Sequence, residues 1–194
     1  MEREYEALLI RELGAGAGFR RPTQAQAATK VSIESPALEV MTDLRRTTPA
    51  TIRPQVPLAG ANQFMITRGV RLLLVVDDHE EVLGVITATD LLGERPLRVA
   101  TERGMRRDEL TVADIMIPAG EVEVVALQDV TAARVGHVLQ TLRRTGRQHA
   151  LVLDAERMVC GIFSLSQIAR QLGVSVATGG EVARTFSEIE AAIK

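Results

Sequence analysis

Short blocks of apolar residues alternate with charged turns along the chain, and this arrangement predicts a mixture of strands and helices. Two apolar blocks flank the acidic turn 77–80 and predict a β-hairpin. Before the hairpin, apolar residues recur at helical spacing between Pro57 and Gly69. One helix face is predicted to carry Leu58, Ala61, Met65 and Ile66. In chain order, the predicted elements are a strand Ala50–Arg53, a helix from Pro57 to Gly69, strands Leu72–Val76 and Val82–Thr87, and a helix Ala88–Leu92.

The same pattern returns about 77 residues later, as an internal repeat. The aligned pairs include Gly69 with Gly146, Asp77 with Asp154, and Gly84 with Gly161. The second copy is predicted as a strand Val122–Ala126, a helix from Asp129 as its cap to Gly146, strands Ala150–Leu153 and Val159–Phe163, and a helix Leu165–Leu172. The repeat predicts two related β-α-β-β-α domains.

Three segments carry a resemblance to a known family. GVITATDLL at 84–92 fits a signature of glycine, apolar residues, Ser/Thr-x-x-Asp and apolar residues, and the segments EVMT (39–42) and DIMI (114–117) introduce the two repeats. In these motifs and in element order, residues Ser35–Gly173 resemble a pair of cystathionine-β-synthase (CBS) domains, called a Bateman module. The resemblance implies an α/β (α+β) fold of two CBS repeats related by a pseudo-two-fold axis, with extra N- and C-terminal helices.

The predicted domain boundaries follow from the repeat. They are an N-terminal helix and flexible linker (1–34), a first CBS repeat (35–93), a helical linker (94–113), a second CBS repeat (114–173) and a C-terminal amphipathic helix (174–194). The terminal helices are predicted from apolar stripes within Glu2–Leu13 and Glu181–Lys194. Because short isolated helices are unstable in water, we expect both to pack on another surface.

The composition of the chain excludes several classes of function. The net charge of −2 and the absence of tryptophan argue against nucleic-acid binding, and no apolar run is long enough for a membrane span. A single cysteine, Cys160, cannot form an internal disulfide, which fits a cytoplasmic protein. No nucleophile–base pair, carboxylate pair or metal-ligand cluster has recognisable spacing. The sequence therefore predicts a protein that is not an enzyme, has no metal site and requires no cofactor.

The resemblance implies a ligand at the Ser/Thr-x-x-Asp signature. In CBS pairs a nucleotide lies in the cleft between the repeats, so Thr87 and Asp90 are expected to contact its phosphate and ribose. A carboxylate accepts hydrogen bonds from both ribose hydroxyls, and a threonine hydroxyl binds phosphate. The same spacing at a helix start is also a capping box, so Thr87 and Asp90 have a purely structural alternative.

The second repeat departs from the signature. Ser164 and Gln167 stand at the corresponding positions, so a neutral amide replaces the carboxylate. Ser-x-x-Gln still predicts a capping box. The family's adenine-side contacts imply further ligand-binding residues, each with a core or surface role as the alternative: Ile52, Arg53, Leu73 and Leu74 in the first repeat, and Val124, Val125, His149 and Ala150 in the second.

The resemblance predicts a stand-alone regulatory module that binds an adenine-containing small molecule, with AMP, ADP, ATP and S-adenosylmethionine as candidate ligands. We expect a homodimer, a regulated protein partner, and no nucleic-acid or membrane partner. A ligand-free dimerisation or protein-interaction scaffold is the alternative, and the loss of the acid at Gln167 favours it.

Overall fold

The computed structural model describes residues 6–14, 16–19, 31–174, 186–189 and 191. The strands are β1 (Arg11–Glu12), β2 (Gly18–Phe19), β3 (Thr42–Asp43), β4 (Thr51–Ile52), β5 (Leu72–Val76), β6 (Val82–Thr87), β7 (Ile117–Pro118), β8 (Glu123–Ala126), β9 (His149–Leu153) and β10 (Met158–Ser164). The α-helices are α1 (Leu58–Arg68), α2 (Ala88–Leu92), α3 (Arg95–Arg103), α4 (Val112–Ile115), α5 (Leu127–Ala132), α6 (Val135–Thr145) and α7 (Leu165–Gln171). Single 3-10 turns form at Ala37–Val40, Arg107–Glu109 and Ala119–Glu121.

The chain divides into two compact units. Within the described residues, unit 1 contains residues 6–11, 31–47 and those from 123 onward, whereas unit 2 contains residues 12–19 and 48–122. Each unit is a sheet packed with helices, so the predicted mixed α/β (α+β) class is confirmed, and both repeats keep the predicted order of elements except that two helices replace one in the second repeat. The predicted domain boundaries stay a prediction that divides the sequence into repeats. The two structural units are divided differently, because contacts group residues 31–47 with the second repeat and 94–122 with the first.

Unit 2 is built on a four-stranded sheet in the order β4-β5-β6-β7. Strand β4 is parallel to β5, and β6 is antiparallel to both β5 and β7. All five residues of β5 are buried, which fits its continuous apolar run, because a strand that is buried on both faces needs apolar residues at every position. The core includes Leu58, Ala61, Met65, Leu73, Val75, Ile86, Leu91, Leu110, Val112 and Ile115.

Helix α1 begins and ends where the sequence predicts. Pro57 is its N-cap, and Gly69 closes it in the left-handed conformation at φ 64°, which glycine adopts without steric cost. Leu58 and Met65 are buried as predicted, but Ile66 is 65% exposed. The expectation that Ile66 shares the buried face is therefore wrong, because its position follows Met65 by about 100° around the helix.

Unit 1 repeats this arrangement. Strand β8 is parallel to β9, β10 is antiparallel to β9, and the short strand β3 is antiparallel to β10. Its core includes Val40, Met41, Val125, Val138, Leu142, Val152, Cys160, Phe163, Leu165 and Ile168. Strand β3 contains the end of EVMT, and β7 the end of DIMI. Each introductory segment thus pairs with the last strand of the other sequence repeat.

The single helix predicted from Asp129 to Gly146 is wrong. The structure has two helices, α5 and α6, separated by extended backbone at Ala133 and Arg134, and Asp129 lies inside α5. The cause is long-range: the carbonyl of Ala133 accepts a hydrogen bond from the amide of Ala37 at 2.9 Å, and Pro36 forms a β-bridge with Arg134. This pairing replaces the helical hydrogen bonds there.

The N-terminal helix predicted over Glu2–Leu13 is absent from the part that the structure describes, residues 6–13. Arg11–Glu12 form a strand instead, and residues 6–10 have no regular structure. The amide of Leu8 donates to Oγ1 of Thr141 at 2.9 Å, and the amide of Leu13 donates to the carbonyl of Val122 at 2.8 Å. The amides of Leu8 and Leu13 thus have distant partners in place of the predicted helical ones.

The predicted C-terminal helix lies partly outside the described residues. Residues 186–189 are helical, and Phe186 and Ile189 of its apolar stripe are buried in the core of unit 1. In the predicted linker 94–113, α3 and a 3-10 turn form, and Leu110 and Val112 anchor the segment in the core of unit 2. No helix within the described residues is long and apolar enough to cross a membrane.

Candidate functional site

The Thr87–Asp90 signature forms a complete capping box at the start of α2. Thr87 is the last residue of β6, and its extended backbone and side chain together close the helix end. Oδ2 of Asp90 accepts hydrogen bonds from the Thr87 amide at 2.9 Å and from Thr87 Oγ1 at 2.6 Å, while the Asp90 amide donates to Thr87 Oγ1 at 3.3 Å. The structural role predicted for this motif is thus present.

One carboxylate oxygen of Asp90 takes no part in the capping box. Oδ1 of Asp90 accepts no hydrogen bond within the described part of the chain, and Nη1 of Arg95 lies 3.8 Å away. Nη2 of Arg95 donates to the carbonyl of Met116 at 3.1 Å, which holds the guanidinium near the carboxylate. The side chains of Asp90 and Arg95 are 15% and 34% exposed. The free acceptor of Asp90 can therefore bind a ligand hydroxyl, while the guanidinium of Arg95 binds an anionic group of the same ligand.

The corresponding place in unit 1 has different contacts. Ser164 is the N-cap of α7, but its side chain makes no capping bond; its Oγ lies 3.1 Å from Oγ of Ser166. Oε1 of Gln167 accepts a hydrogen bond from Oγ1 of Thr42 at 3.0 Å. The capping box predicted for Ser164 and Gln167 is therefore wrong, because both polar groups take other partners.

Strand register determines which of the other predicted ligand-binding residues lie near the start of α2 or of α7. His149 is the cross-strand partner of Ser164, and Ala150 is that of Phe163, so both lie beside the start of α7. Both are half-buried. Val124 and Val125 are 1% and 2% exposed, so both side chains are buried, and Val125 belongs to the core of unit 1.

In unit 2 the predicted ligand-binding residues lie at different places on the sheet. Leu73 and Leu74 lie in the middle of β5 with no exposed surface. Ile52 pairs with Val75, whereas Thr87 pairs with Leu72 at the other end of the strand. At about 3.3 Å per residue, these two ends of the sheet are about 10 Å apart. The structure therefore does not bring Ile52 and Arg53 to Thr87 and Asp90.

Ile52 and Arg53 instead line a separate pocket of about 350 Å³. Its wall comprises Thr51, Ile52, Arg53, Val56, Gly60, Phe64, Val76 and Glu80. Nη1 of Arg53 donates to the carbonyl of Val76 at 3.2 Å, and Nη2 lies 3.8 Å from Asp78.

Other polar candidates have structural partners. Within the described residues no group of His, Cys, Asp and Glu could hold a metal ion. Cys160 is buried, and burial raises the pKa of its thiol to about 11, so it is a poor nucleophile. Arg45 pairs with Asp43 at 2.8 Å; burial alone would raise the pKa of Asp43, but hydrogen bonds from Arg45 lower it below its usual value.

Comparison with known proteins finds one family match and several similar solved structures. Residues 37–96 match the CBS domain family. An uncharacterized conserved protein from Pyrococcus horikoshii has a similar structure, with a TM-score of 0.56 and 21% identity, covering 77% of this chain and 100% of that one. CBSX2, a CBS-pair protein of Arabidopsis thaliana, was solved in complex with AMP. Its structure has a TM-score of 0.51 and 21% identity, covering 70% of this chain and 94% of that one. The chain has the fold of a tandem CBS-domain protein.

A second solved CBS pair has a similar fold. The CBS domain pair of protein MJ0100, solved in complex with 5-methylthioadenosine and S-adenosyl-L-methionine, has a TM-score of 0.50 and 20% identity, covering 75% of this chain and 98% of that one. No curated protein matches the sequence.

Two polar residues of the CBS pair were missed by sequence reasoning. Arg95 lies five residues after Asp90, and the sequence offers no periodic signal that places its guanidinium there. Thr42 ends the EVMT segment, which sequence reasoning assigned to the first repeat; its contact with Gln167 follows from the pairing of β3 with β10.

Proposed function

We propose that this protein is a regulatory CBS-pair module whose Asp90 binds the ribose of an adenine nucleotide or a related adenosine compound. The observation that carries the proposal is the uncommitted Oδ1 of Asp90 beside Arg95. The capping box uses the other oxygen, so the cap and ligand binding do not compete for the same acceptor. Thr87 is already both donor and acceptor within the cap, so we assign it the role of positioning Asp90.

The ligand class is supported by the similar structures. AMP is bound by CBSX2, and 5-methylthioadenosine and S-adenosyl-L-methionine by the pair of MJ0100. All three compounds contain adenosine, whose two ribose hydroxyls are donors for a carboxylate. The phosphate of AMP and the carboxylate of S-adenosylmethionine are anions that a guanidinium binds well. ADP and ATP belong to the same class.

Regulation would follow from different ligand affinities of two conformations or assemblies. We propose a homodimer as the assembly and a protein partner as the regulated target, without a catalytic role for the chain. The free thiol of Cys160 fits a reducing cytoplasm. CBS-pair modules are generally regulatory rather than catalytic, which supports this assignment.

A thermal-shift panel tests the proposal. The purified protein is heated with AMP, ADP, ATP, 5-methylthioadenosine or S-adenosylmethionine, with GMP as a control for the base. A ligand at about 100 times its dissociation constant adds roughly 2.7 kcal/mol to the free energy of unfolding, which corresponds to a rise of roughly 5–10 °C in Tm for a chain of this size. A selective rise with an adenosine compound supports the proposal.

Asp90→Glu separates ligand binding from capping. Ser/Thr-x-x-Glu is a favourable capping box, so the variant keeps the helix cap while its longer side chain displaces the carboxylate. We expect the Tm of the free variant to stay close to that of the wild type and the ligand-induced rise to disappear. A rise of wild-type size in Asp90→Glu contradicts the assignment of Asp90.

The second candidate function is a ligand-free interaction scaffold. It is favoured by unit 1, where Gln167 replaces the acid and is bound to Thr42. A flat response across the whole panel would support the scaffold and refute the regulatory ligand site.

A further inference from the structure

The pocket lined by Ile52 and Arg53 lies at a favourable place in unit 2. It opens where the parallel strands β4 and β5 end and where α1 begins. In α/β folds, ligands commonly bind outside the carboxyl ends of parallel strands. The pocket is about 10 Å along the sheet from the Thr87 end of β6, so it is distinct from the Asp90 site.

The wall of the pocket combines an apolar surface with one fixed cation. Ile52, Val56, Phe64 and Val76 supply the apolar part. The guanidinium of Arg53 is held at its edge by the carbonyl of Val76, and its side chain is 43% exposed. Because a guanidinium has five N–H donors, the bond to Val76 leaves donors that can bind a carboxylate in bidentate fashion.

The pocket also has an acidic edge next to Arg53, where Asp78 lies 3.8 Å from Nη2 of Arg53. Glu80 lines it and belongs to the hairpin turn 77–81, which also contains Asp77, Asp78 and Glu81. Four carboxylates in one turn repel a phosphate and attract an ammonium group. The volume of about 350 Å³ is at the lower end of the roughly 300–1,000 Å³ range of small-molecule pockets, which favours a ligand smaller than a nucleotide.

We propose that this pocket binds a free α-amino acid with an apolar side chain. Arg53 binds the carboxylate, the acidic turn faces the ammonium group, and the side chain lies against Val56 and Phe64. The inference is independent of the nucleotide proposal, because it uses different residues and a ligand of different charge.

A series of compounds tests the charge pattern on the wild-type protein. Leucine, methionine and phenylalanine are titrated at millimolar concentration into the isotope-labelled protein while amide NMR signals are recorded. Two analogues of leucine each lack one charge: 4-methylpentanoate lacks the ammonium group, and isoamylamine lacks the carboxylate. We expect the amino acids to shift the signals of Ile52, Gly60 and Val76, and each analogue to bind at least about tenfold more weakly.

Arg53→Gln tests the named cation, with Arg98→Gln as the control. Arg98 is an exposed arginine paired with Glu102 on α3, so its removal changes the net charge equally. Arg53→Gln should weaken amino-acid binding at least about tenfold and leave AMP or 5-methylthioadenosine binding unchanged, whereas Arg98→Gln should alter neither. Absence of shifts at the pocket with every amino acid, or equal binding by Arg53→Gln and wild type, would overturn the proposal, whatever the panel shows for nucleotides.

Discussion

Thr42 donates a hydrogen bond from Oγ1 to Oε1 of Gln167 at 3.0 Å, and so connects β3 to the start of α7. Gln167 stands at the repeat position of Asp90. Where unit 2 has a carboxylate that both caps its helix and keeps one oxygen available, unit 1 has an amide engaged by a neighbouring strand. The two units therefore differ in the group on which the proposed ligand contact depends.

Gln167→Asp should convert unit 1 into a second binding place. An aspartate at this position is favoured near the helix N-terminus and restores Ser-x-x-Asp. We expect the number of adenosine ligands per chain, measured by calorimetric titration, to rise from one to two. As a control, Gln167→Ala removes the Thr42 contact without adding a carboxylate and should leave that number at one. A stoichiometry of one in Gln167→Asp contradicts this account.

Gly84 and Gly161 occupy equivalent repeat positions but have different neighbours. A Cβ on Gly84 would overlap the backbone carbonyl of Ile117, whereas a Cβ on Gly161 would meet the side chain of Met41. Because a methionine side chain adapts and a paired strand does not, Gly84→Ala should destabilise the protein by about 3 kcal/mol or more and Gly161→Ala by about 1–2 kcal/mol. Urea unfolding of both variants measures the difference, and equal losses would contradict the pairing of β6 with β7.

Sequence patterns predicted the hairpins accurately because their determinants are local. The apolar runs Leu72–Val76 and Val82–Thr87 are the strands β5 and β6 at the predicted bounds. Gly69 and Gly146 end helices α1 and α6 in the left-handed conformation. These elements depend on turn chemistry and periodicity within a few residues, which one sequence displays directly.

The errors in the predicted fold have distant causes. The break at Ala133 depends on Ala37, almost a hundred residues earlier, and the non-helical backbone at Leu8 depends on Thr141. Local periodicity carries no information about such partners. The predicted ligand set stays a prediction, and local periodicity likewise did not indicate that strand register puts two of its members, Ile52 and Thr87, at opposite ends of β5.

Cys160 should be protected from thiol reagents in the folded protein. It is 1% exposed, and burial holds the pKa of its thiol at about 11, so little thiolate exists at pH 8. We expect Ellman's reagent to react with it slowly without denaturant and rapidly in guanidinium chloride. Rapid reaction of the native protein would show that β10 is not packed as described.

Asp114 should make stability depend on acid pH. Hydrogen bonds from the backbone and side chain of Thr111, together with Arg103, lower the pKa of Asp114 although burial opposes them. The contribution of Asp114 to the free energy of unfolding is therefore fully present above the ordinary aspartate pKa of about 3.9. It is lost as the pH falls through the lower pKa that Asp114 has in the folded protein. Asp114→Asn should cost about 1 kcal/mol at pH 7, and the difference from wild type should shrink in acid; a constant difference in urea unfolding from pH 7 to below the folded pKa would contradict this.

Calorimetric titration of Asp90→Asn and Asp114→Asn tests the central claim most directly. Both aspartates complete a Thr-x-x-Asp capping box beside an arginine in unit 2, so the two variants lose comparable structural contacts. If Asp90 binds the ribose of AMP, 5-methylthioadenosine or S-adenosylmethionine, Asp90→Asn weakens binding about tenfold to a hundredfold while Asp114→Asn stays within about twofold of the wild type. Equal affinities of Asp90→Asn and wild type, or equal losses in the two variants, would contradict the account.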